Sequence, residues 1–225
     1  MSDVALAAAV GALVCALLLA EWRASAAGKW VAKPLASAGF VALAVERGAC
    51  ASRYGQAIFA ALVLSWIGDV FLIPKNKAWF RAGLFAFLLG HLGFCAAFWV
   101  RGVSWPIAGG SAAVLAMVAF LVGRWLLPHV EPKMRPPVIA YVVVITSMVA
   151  LAIGSIGRQN IGQNSLQRSL HETLPDFLPL IAALMFYVSD LSVARDTFVK
   201  RSFRNRAWGL PLYYGAQVLF AWSIV

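Results

Sequence analysis

The chain has 225 residues, of which 62% are hydrophobic and only 12% are charged, and its mean hydropathy is +0.80. A soluble globular domain is about 45–50% apolar with roughly a quarter of its residues charged, and a soluble fold of this length could not bury so much apolar surface. The composition excludes a soluble enzyme, a disordered chain and a typical nucleic-acid-binding domain. The net charge of +10 is therefore expected to orient the chain in a membrane.

Eight stretches are apolar enough to cross the hydrocarbon as helices, which takes about 20 residues each. In chain order, the predicted spans are Val4–Ala20, Trp30–Val45, Tyr54–Pro74, Ala82–Val100, Gly102–Gly123, Pro136–Gly157, Phe177–Ala194 and Ala207–Val225. Short connections make consecutive helices antiparallel neighbours, and the polar stretch 157–173 is expected to lie in the interface as a short amphipathic helix. We predict an all-α polytopic membrane protein of eight transmembrane helices with short loops, forming a single transmembrane domain over residues 1–225.

Basic residues are unevenly distributed between the two sides of these spans. Because the number of spans is even, both termini lie on one side, which holds 5 of the Lys and Arg residues against 14 on the other. The positive-inside rule then places the loops after spans 1, 3, 5 and 7 in the cytoplasm. We expect an integral protein of a bacterial inner (cytoplasmic) membrane with both termini non-cytoplasmic. Its basic loops are expected to contact anionic lipid and no nucleic acid.

Ionisable side chains inside membrane spans are costly and mark functional sites. At a rise of about 1.5 Å per residue, Asp69 and Asp190 lie roughly 8–9 Å from the cytoplasmic ends of their spans, and His91 lies near ~15 Å. Lys33 is near the cytoplasmic end of the second span. Further polar residues share this half of the membrane: Tyr141, Ser189, Tyr213, Tyr214 and Gln217. Their convergence predicts one polar cavity that opens to the cytoplasm.

Each of these residues also has a structural interpretation. Lys33 can extend its ammonium to the interface, His91 can donate a hydrogen bond between helices, and the tyrosines can serve in packing. An Asp–Lys pair can hold two helices together. Asp69, Asp190 and His91 can also ligate a metal ion, but no fixed ligand spacing supports this, and we predict neither a metal nor a cofactor.

The same residues belong to short motifs that extend over nearly the whole chain. In chain order they are Lys33-Pro34-Leu35, Gly68-Asp69-Val-Phe-Leu, Phe80-x-x-Gly83-Leu-Phe-x-Phe-Leu-x-Gly90-His91, Tyr141, Phe186-x-x-Ser189-Asp190 with Ala194, and Leu212-Tyr213-Tyr214-x-Ala216-Gln217. This ordered set resembles the YhhN family of lysoplasmalogenase-like integral membrane proteins. The resemblance implies an eight-helix hydrolase that cleaves the vinyl ether bond of lysoplasmalogens into a fatty aldehyde and glycerophosphoethanolamine or glycerophosphocholine.

The ionisable residues are compatible with this implied chemistry. Vinyl ether hydrolysis needs an acid that protonates the alkene carbon, an anion near the resulting oxocarbenium ion, and a base for water. We assign the acid to Asp190 and the base to Asp69, although the two roles are exchangeable at this stage. His91 would orient the water or one carboxylate.

The remaining polar residues are predicted to bind the lysophospholipid substrate. Lys33, together with Tyr213 or Tyr214, would bind its phosphate. The other predicted substrate-binding residues are Tyr141, Ser189 and Gln217.

Two other classes of function remain open. A small proton-coupled transporter would use the same intramembrane Asp and His groups as a proton relay. A structural membrane protein is disfavoured, because its interior has no need for converging ionisable groups. Aldehyde release in detergent would distinguish the enzyme from a transporter, which acts only across a sealed membrane.

Overall fold

The computed structural model describes residues 2–160 and 170–224, and these residues confirm the all-α prediction. Eight α-helices lie within the described ranges, with no strand among them. They are α1 (Asp3–Trp22), α2 (Ala26–Glu46), α3 (Arg53–Phe71), α4 (Lys77–Arg101), α5 (Trp105–Leu126), α6 (Arg135–Asn160), α7 (Leu170–Ala194) and α8 (Phe203–Trp222). One turn of π-helix, Arg195–Val199, follows α7.

Short polar side chains determine where five of the helices begin. Ser2, Ser25, Ser52, Asn76 and Ser202 each precede a helix, and each side chain accepts a hydrogen bond from a backbone N–H in the first turn. A cap of this kind contributes about 1 kcal/mol. Four of these helices, α2, α3, α4 and α8, carry polar residues that the sequence predicts to be functional.

The largest differences from the predicted spans are early starts of four helices. The fourth begins at Lys77 rather than Ala82, and the eighth begins at Phe203 rather than Ala207. The second helix begins at Ala26 rather than Trp30, and the seventh begins at Leu170 rather than Phe177. The middle of the predicted amphipathic stretch, 161–169, lies outside the described residues. Its flanking parts belong to the ends of α6 and α7.

Six of the described helices are long and apolar enough to cross a membrane. The other two are α2 and α8, whose charged side chains lower their hydropathy: Lys29, Lys33 and Glu46 lie in α2, and Arg204 and Arg206 lie in α8. The prediction of eight helices is therefore confirmed, and six of them have the length and composition that crossing a membrane requires.

The helices form four antiparallel hairpins, α1–α2, α3–α4, α5–α6 and α7–α8. Helix α8 also packs on α1, α2 and α3, and α6 packs on α4 and α7, whereas α5 packs mainly on α6. Arg47 at the end of α2 pairs with Asp3 at 3.1 Å and donates to the Ile224 carbonyl at 2.9 Å. Both ends of the chain thus lie at the same end of the bundle, which we call the terminal end.

Ion pairs also join helices at the other end, which we call the opposite end. There Arg206 of α8 pairs with Glu21 of α1 and with Asp196 of the π turn. These contacts attach the α7–α8 hairpin to α1 at the opposite end, as Arg47 attaches α8 to α1 and α2 at the terminal end. The helices that carry the candidate site are therefore held at both ends.

Buried aromatic side chains fill the centre of the bundle. Phe94 of α4 stacks on Phe220 of α8 with ring centroids 4.0 Å apart. The Phe87 ring lies against Gly68 of α3, where an added Cβ would approach the ring to 2.7 Å. Because Gly68 has no side chain, α3 and α4 pack closely beside Asp69.

Candidate functional site

Asp69 is the centre of a buried polar cluster formed by α2, α3 and α8. Its carboxylate, 3% exposed, lies 3.1 Å from Nζ of Lys33 and accepts hydrogen bonds from Ser37 at 2.6 Å and Tyr213 at 2.7 Å. Ser37 also lies 3.3 Å from the Tyr214 hydroxyl, which donates to the Lys33 carbonyl at 3.4 Å. We call these five residues the Asp69 cluster.

One cation and two hydroxyls touch Asp69 within this cluster. Lys33 supplies the cation, and Ser37 and Tyr213 supply the hydroxyls. The Ser37 hydroxyl also lies 3.0 Å from the Lys33 carbonyl, so its single hydrogen is available to either oxygen. Lys33 itself is only 13% exposed, so its ammonium lies inside the bundle and does not extend to the interface.

Asp190 belongs to a second polar cluster, which joins α4, α6 and α7. Its Oδ2 atom accepts a 2.7 Å hydrogen bond from Tyr141 and lies 3.4 Å from Nε2 of His91. The other ring nitrogen of His91, Nδ1, lies 2.6 Å from the Phe87 carbonyl. The Asp190 side chain is 15% exposed, whereas that of His91 is 1% exposed. We call Asp190, His91 and Tyr141 the Asp190 cluster.

The contact with Phe87 determines which ring nitrogen of a neutral His91 carries the hydrogen. A carbonyl oxygen only accepts, so Nδ1 of His91 carries a hydrogen and donates it to Phe87. If His91 were neutral and Asp190 ionised, an imidazole lone pair would face a carboxylate oxygen. A favourable contact between Nε2 and Oδ2 needs one proton between them, on either residue. Nε2 forms no hydrogen bond among the described residues, so the pair is close but not joined.

Aromatic rings separate the two clusters. Phe186 lies 4.4 Å from the His91 ring and 5.3 Å from the Tyr213 ring, and Phe87 lies 5.8 Å from Tyr213. Tyr213 is hydrogen-bonded to Asp69 and also lies within electrostatic reach of Asp190. The two carboxylates therefore have separate partners, and the rings of Phe87 and Phe186 lie between their clusters. The sequence did not indicate this arrangement.

Two predicted residues lie apart from the hydrogen bonds of both clusters. Gln217 of α8 is fully buried, and neither atom of its amide has a hydrogen-bond partner among the described residues. Ser189 is 1% exposed, and its carbonyl faces Gly209 of α8. No hydrogen bond joins either residue to an aspartate within the described parts of the chain.

The predicted site residues did not include Ser37, Phe87 or Phe186, although Phe87 and Phe186 belong to the motifs of the sequence. Ser37 lies four residues after Lys33 and therefore on the same face of α2, a signal that would have identified it. Phe186 lies four residues before Asp190 on α7 by the same rule. The role of Phe87 depends on its backbone carbonyl, which no side-chain pattern reveals.

Both clusters lie in the half of the bundle near the opposite end. Asp69 is two residues before the end of α3 at Phe71, and Asp190 is four residues before the end of α7 at Ala194. Burial is nearly complete at Asp69 and His91, and the Asp190 side chain retains some exposure. The site thus has its most accessible carboxyl group on α7.

Two surface grooves run along α5, on its two sides. One, of 560 Å³, lies between α5, α7 and α8, and the other, of 790 Å³, lies between α5 and α6. None of the nine predicted site residues lines either groove. Among the described residues, no group of three or more His, Cys, Asp or Glu side chains is arranged to hold a metal ion.

The fold and the site define an integral membrane protein with two buried carboxylate clusters, one paired with a lysine and one facing a histidine. Residues 28–224 match the YhhN family, and the chain belongs to this family. The match includes every residue of both clusters. The expected family is therefore confirmed.

Curated relatives of the chain carry the name lysoplasmalogenase. The chain is 31% identical to bovine lysoplasmalogenase TMEM86A over 168 residues, which are 75% of this chain and 65% of the relative. It is 29% identical to the human TMEM86A protein over the same shares, and 26% identical to rat lysoplasmalogenase TMEM86B over 94% of this chain and 80% of the relative. The chain thus covers just under two thirds of the two TMEM86A proteins. No solved structure shows significant similarity to it.

Proposed function

We propose that the protein hydrolyses the vinyl ether bond of lysoplasmalogens and releases a fatty aldehyde and glycerophosphoethanolamine or glycerophosphocholine. Its family and the names of its relatives support this substrate class. The observation that carries the reaction type is the contrast between the two carboxylates. Asp69 adjoins a cation and two hydroxyls, whereas Asp190 adjoins one hydroxyl and faces the His91 imidazole, and the mechanism assigns one shared proton to that pair.

The Asp190 cluster acts as the acid in this mechanism. The shared proton moves to the alkene carbon that is not bonded to oxygen, and the π electrons of the vinyl ether form the new C–H bond. The neighbouring carbon and the ether oxygen then share the positive charge of an oxocarbenium ion. Tyr141 holds the carboxyl group in place through its hydrogen bond to Oδ2, and the Phe87 carbonyl holds the tautomer of His91.

The Asp69 cluster acts as the anion and the base. Its negative charge stabilises the oxocarbenium ion, and its carboxylate accepts a proton as water adds to the charged carbon. The hemiacetal that forms then breaks its bond to the glycerol oxygen, which takes up a proton, and the aldehyde leaves. One water is consumed in each turnover, and the proton returns to the His91–Asp190 pair.

The other predicted residues bind the substrate. An ammonium has three donors, so Lys33 keeps donors for the phosphate while it contacts Asp69, and Tyr214 lies beside it. The unpartnered amide of Gln217 and the hydroxyl of Ser189 offer polar contacts to the glycerol part. No metal or cofactor takes part.

The proposal includes the orientation of the bundle. All eight helices cross the membrane, and the cavity opens to the cytoplasm at the opposite end, with both termini outside the cytoplasm. The support is the sequence excess of Lys and Arg residues on the side of the opposite end, 14 against 5 on the side of the termini, with Lys33 counted at its nearer end. Charged side chains of α2 and α8 oppose membrane insertion, but ion pairs neutralise some of them. Lys33 pairs with Asp69, and Arg206 pairs with Glu21.

The experiment is an aldehyde assay on purified protein in detergent with a lysoplasmalogen substrate. Asp69→Asn and Asp190→Asn are each expected to lower kcat about 10²- to 10⁴-fold, the range for loss of an acid or base group. Asp176→Asn is the matched control, because Asp176 lies on α7 with Asp190 but pairs with Arg101 at the terminal end. It should retain wild-type kcat per folded molecule.

Full activity in both folded site variants would refute the mechanism. Wild-type protein that releases no aldehyde in detergent, but moves protons across sealed vesicles, would favour the transporter instead.

A further inference from the structure

Helix α5 packs on α6 and leaves most of its surface uncovered. Ala108 and Leu126, near its two ends, are its buried residues, and Leu115 in its middle is half-buried against the core. Ala108 packs against Gly154 of α6, where an added Cβ would approach it to 2.7 Å, and Leu126 packs with Val130 and Val138. A 790 Å³ groove lies between the exposed sides of α5 and α6.

The walls of this groove are apolar over most of their length. The α5 wall carries four small residues, Ala112, Ala116, Ala119 and Gly123, together with the ring of Phe120, and the α6 wall consists largely of Val and Ile side chains. Two hydroxyl groups on α6 do not alter this character, because Thr146 and Ser147 donate to carbonyls four residues back in their own helix. The groove therefore suits a hydrocarbon chain.

One end of the groove carries two positive charges. Arg124 and Arg135 both line it at the opposite end of the bundle, and both side chains are exposed. No carboxylate pairs with either arginine within residues 2–160 and 170–224. Glu131, an acidic residue of the same loop, pairs with Lys77 at 2.9 Å. Two guanidinium groups at the end of an apolar groove favour a phosphate.

The length of the groove matches one leaflet. Twelve residues separate Ala112 from Arg124 on α5, and twelve separate Arg135 from Ser147 on α6, so the groove is about 18 Å long. Half of the hydrocarbon thickness of a bilayer is about 15 Å. A chain anchored by its phosphate at the two arginines would end near the bilayer midplane.

We propose that the α5–α6 groove binds a single-chain phospholipid, with its chain between the two helices and its phosphate at Arg124 and Arg135. The residues of the groove are distinct from those of both carboxylate clusters. The proposal does not depend on the proposed hydrolysis. The groove would recognise the hydrocarbon chain and the phosphate of the lipid, whereas hydrolysis requires a vinyl ether bond.

Native mass spectrometry of the detergent-released protein tests this site. The probe is palmitoyl lysophosphatidylethanolamine with an ester-linked chain, which contains no vinyl ether bond, and the reference lipid is the monoacylglycerol with the same chain. Wild-type protein is expected to bind the phospholipid about tenfold more tightly, since a charge-assisted contact with phosphate contributes about 1.4 kcal/mol or more. In the Lys33→Met/Asp69→Asn background, in which the Asp69 cluster has no cation to bind a phosphate, Arg124→Gln/Arg135→Gln should abolish this preference. Arg53→Gln, which changes an exposed arginine at the terminal end, should retain it.

A second pair of variants tests where the chain lies. Ala116→Phe fills the groove and is expected to weaken binding of both lipids at least tenfold. Val114→Phe enlarges a residue of α5 that lies outside the groove lining and is 70% exposed, and it should not change binding.

Three results would overturn the proposal. These are equal affinity of the wild type for the two lipids, wild-type preference when both arginines are replaced in the Lys33→Met/Asp69→Asn background, and binding of dipalmitoyl phosphatidylethanolamine as tight as that of the single-chain probe. Lys33→Met/Asp69→Asn with both arginines intact should keep the preference for the phospholipid, which separates a failure of this site from a failure of the catalytic proposal.

Discussion

The substitution Lys33→Met is expected to destabilise the protein strongly, because it leaves a buried carboxylate without its cation. The Lys33 and Asp69 side chains are 13% and 3% exposed and are 3.1 Å apart. Methionine keeps the apolar stem of lysine and removes only the ammonium. Loss of one partner of a buried ion pair costs about 3–5 kcal/mol, and Ser37 and Tyr213 offset part of this cost through their hydrogen bonds to Asp69. We expect a decrease of about 3 kcal/mol in the free energy of unfolding.

Lys77→Met is the matched control for this effect. Lys77 pairs with Glu131 at 2.9 Å, a similar distance, but the two side chains are 85% and 67% exposed. An exposed ion pair contributes about 0–1 kcal/mol and is screened by salt. Lys77→Met should therefore lower stability by less than about 1 kcal/mol. The difference in stability loss between the two variants reports the effect of burial, because the nitrogen–oxygen distances of the two ion pairs are similar.

The assay is reversible unfolding in mixed micelles, monitored by far-UV circular dichroism. Addition of Asp69→Asn to Lys33→Met removes the unpaired charge and should recover most of the lost stability. The reasoning is wrong if Lys33→Met unfolds at the same midpoint as Lys77→Met, or if the second substitution lowers stability further.

Hydroxyl groups and glycines give further tests. Tyr141→Phe removes a 2.7 Å hydrogen bond to a carboxylate and should lower kcat in the aldehyde assay about 10- to 100-fold, the equivalent of about 1.5–3 kcal/mol. In Tyr187→Phe the lost hydroxyl is buried without a partner among the described residues, so kcat should not change; equal losses in the two variants would contradict the role of Tyr141. Gly68→Ala places a methyl group 2.7 Å from the Phe87 ring and should cost about 1–3 kcal/mol in thermal unfolding. Gly110→Ala meets no described atom within 4 Å and should stabilise α5 by about 0.5–1 kcal/mol; a loss at Gly110 as large as that at Gly68 would show that packing is not the cause.

The fold class and the helices could be predicted because hydropathy is a local property of the chain. Each apolar run is long enough to form a helix whatever lies around it, and the structure has a helix for each of the eight. The bounds were less accurate at Ala26 and Leu170, since helix ends depend on caps and on neighbouring helices. Ionisable residues within apolar runs likewise identified Asp69, His91 and Asp190 as candidates for the site. Such residues are rare inside membrane spans unless they have partners.

The partners themselves depend on how the helices are rotated and packed. Successive residues of a helix differ by about 100° in direction, so the face that Asp69 presents to Lys33 and Tyr213 is determined only when α2, α3 and α8 pack together. The same holds for the Phe87 carbonyl, whose contact with Nδ1 determines which ring nitrogen of His91 carries a hydrogen.

The basic excess and the apolar composition determined, from the sequence alone, that the chain belongs in a membrane and which residues are costly there. Tertiary structure decided that the two carboxylates have different partners, because contacts between residues 33, 69 and 213, or 91, 141 and 190, arise only from the packing of helices far apart in the chain. It also decided that a groove lies between α5 and α6. A pattern of small residues on α5 permits both close packing and an open groove, and only the packing of the two helices chooses between them.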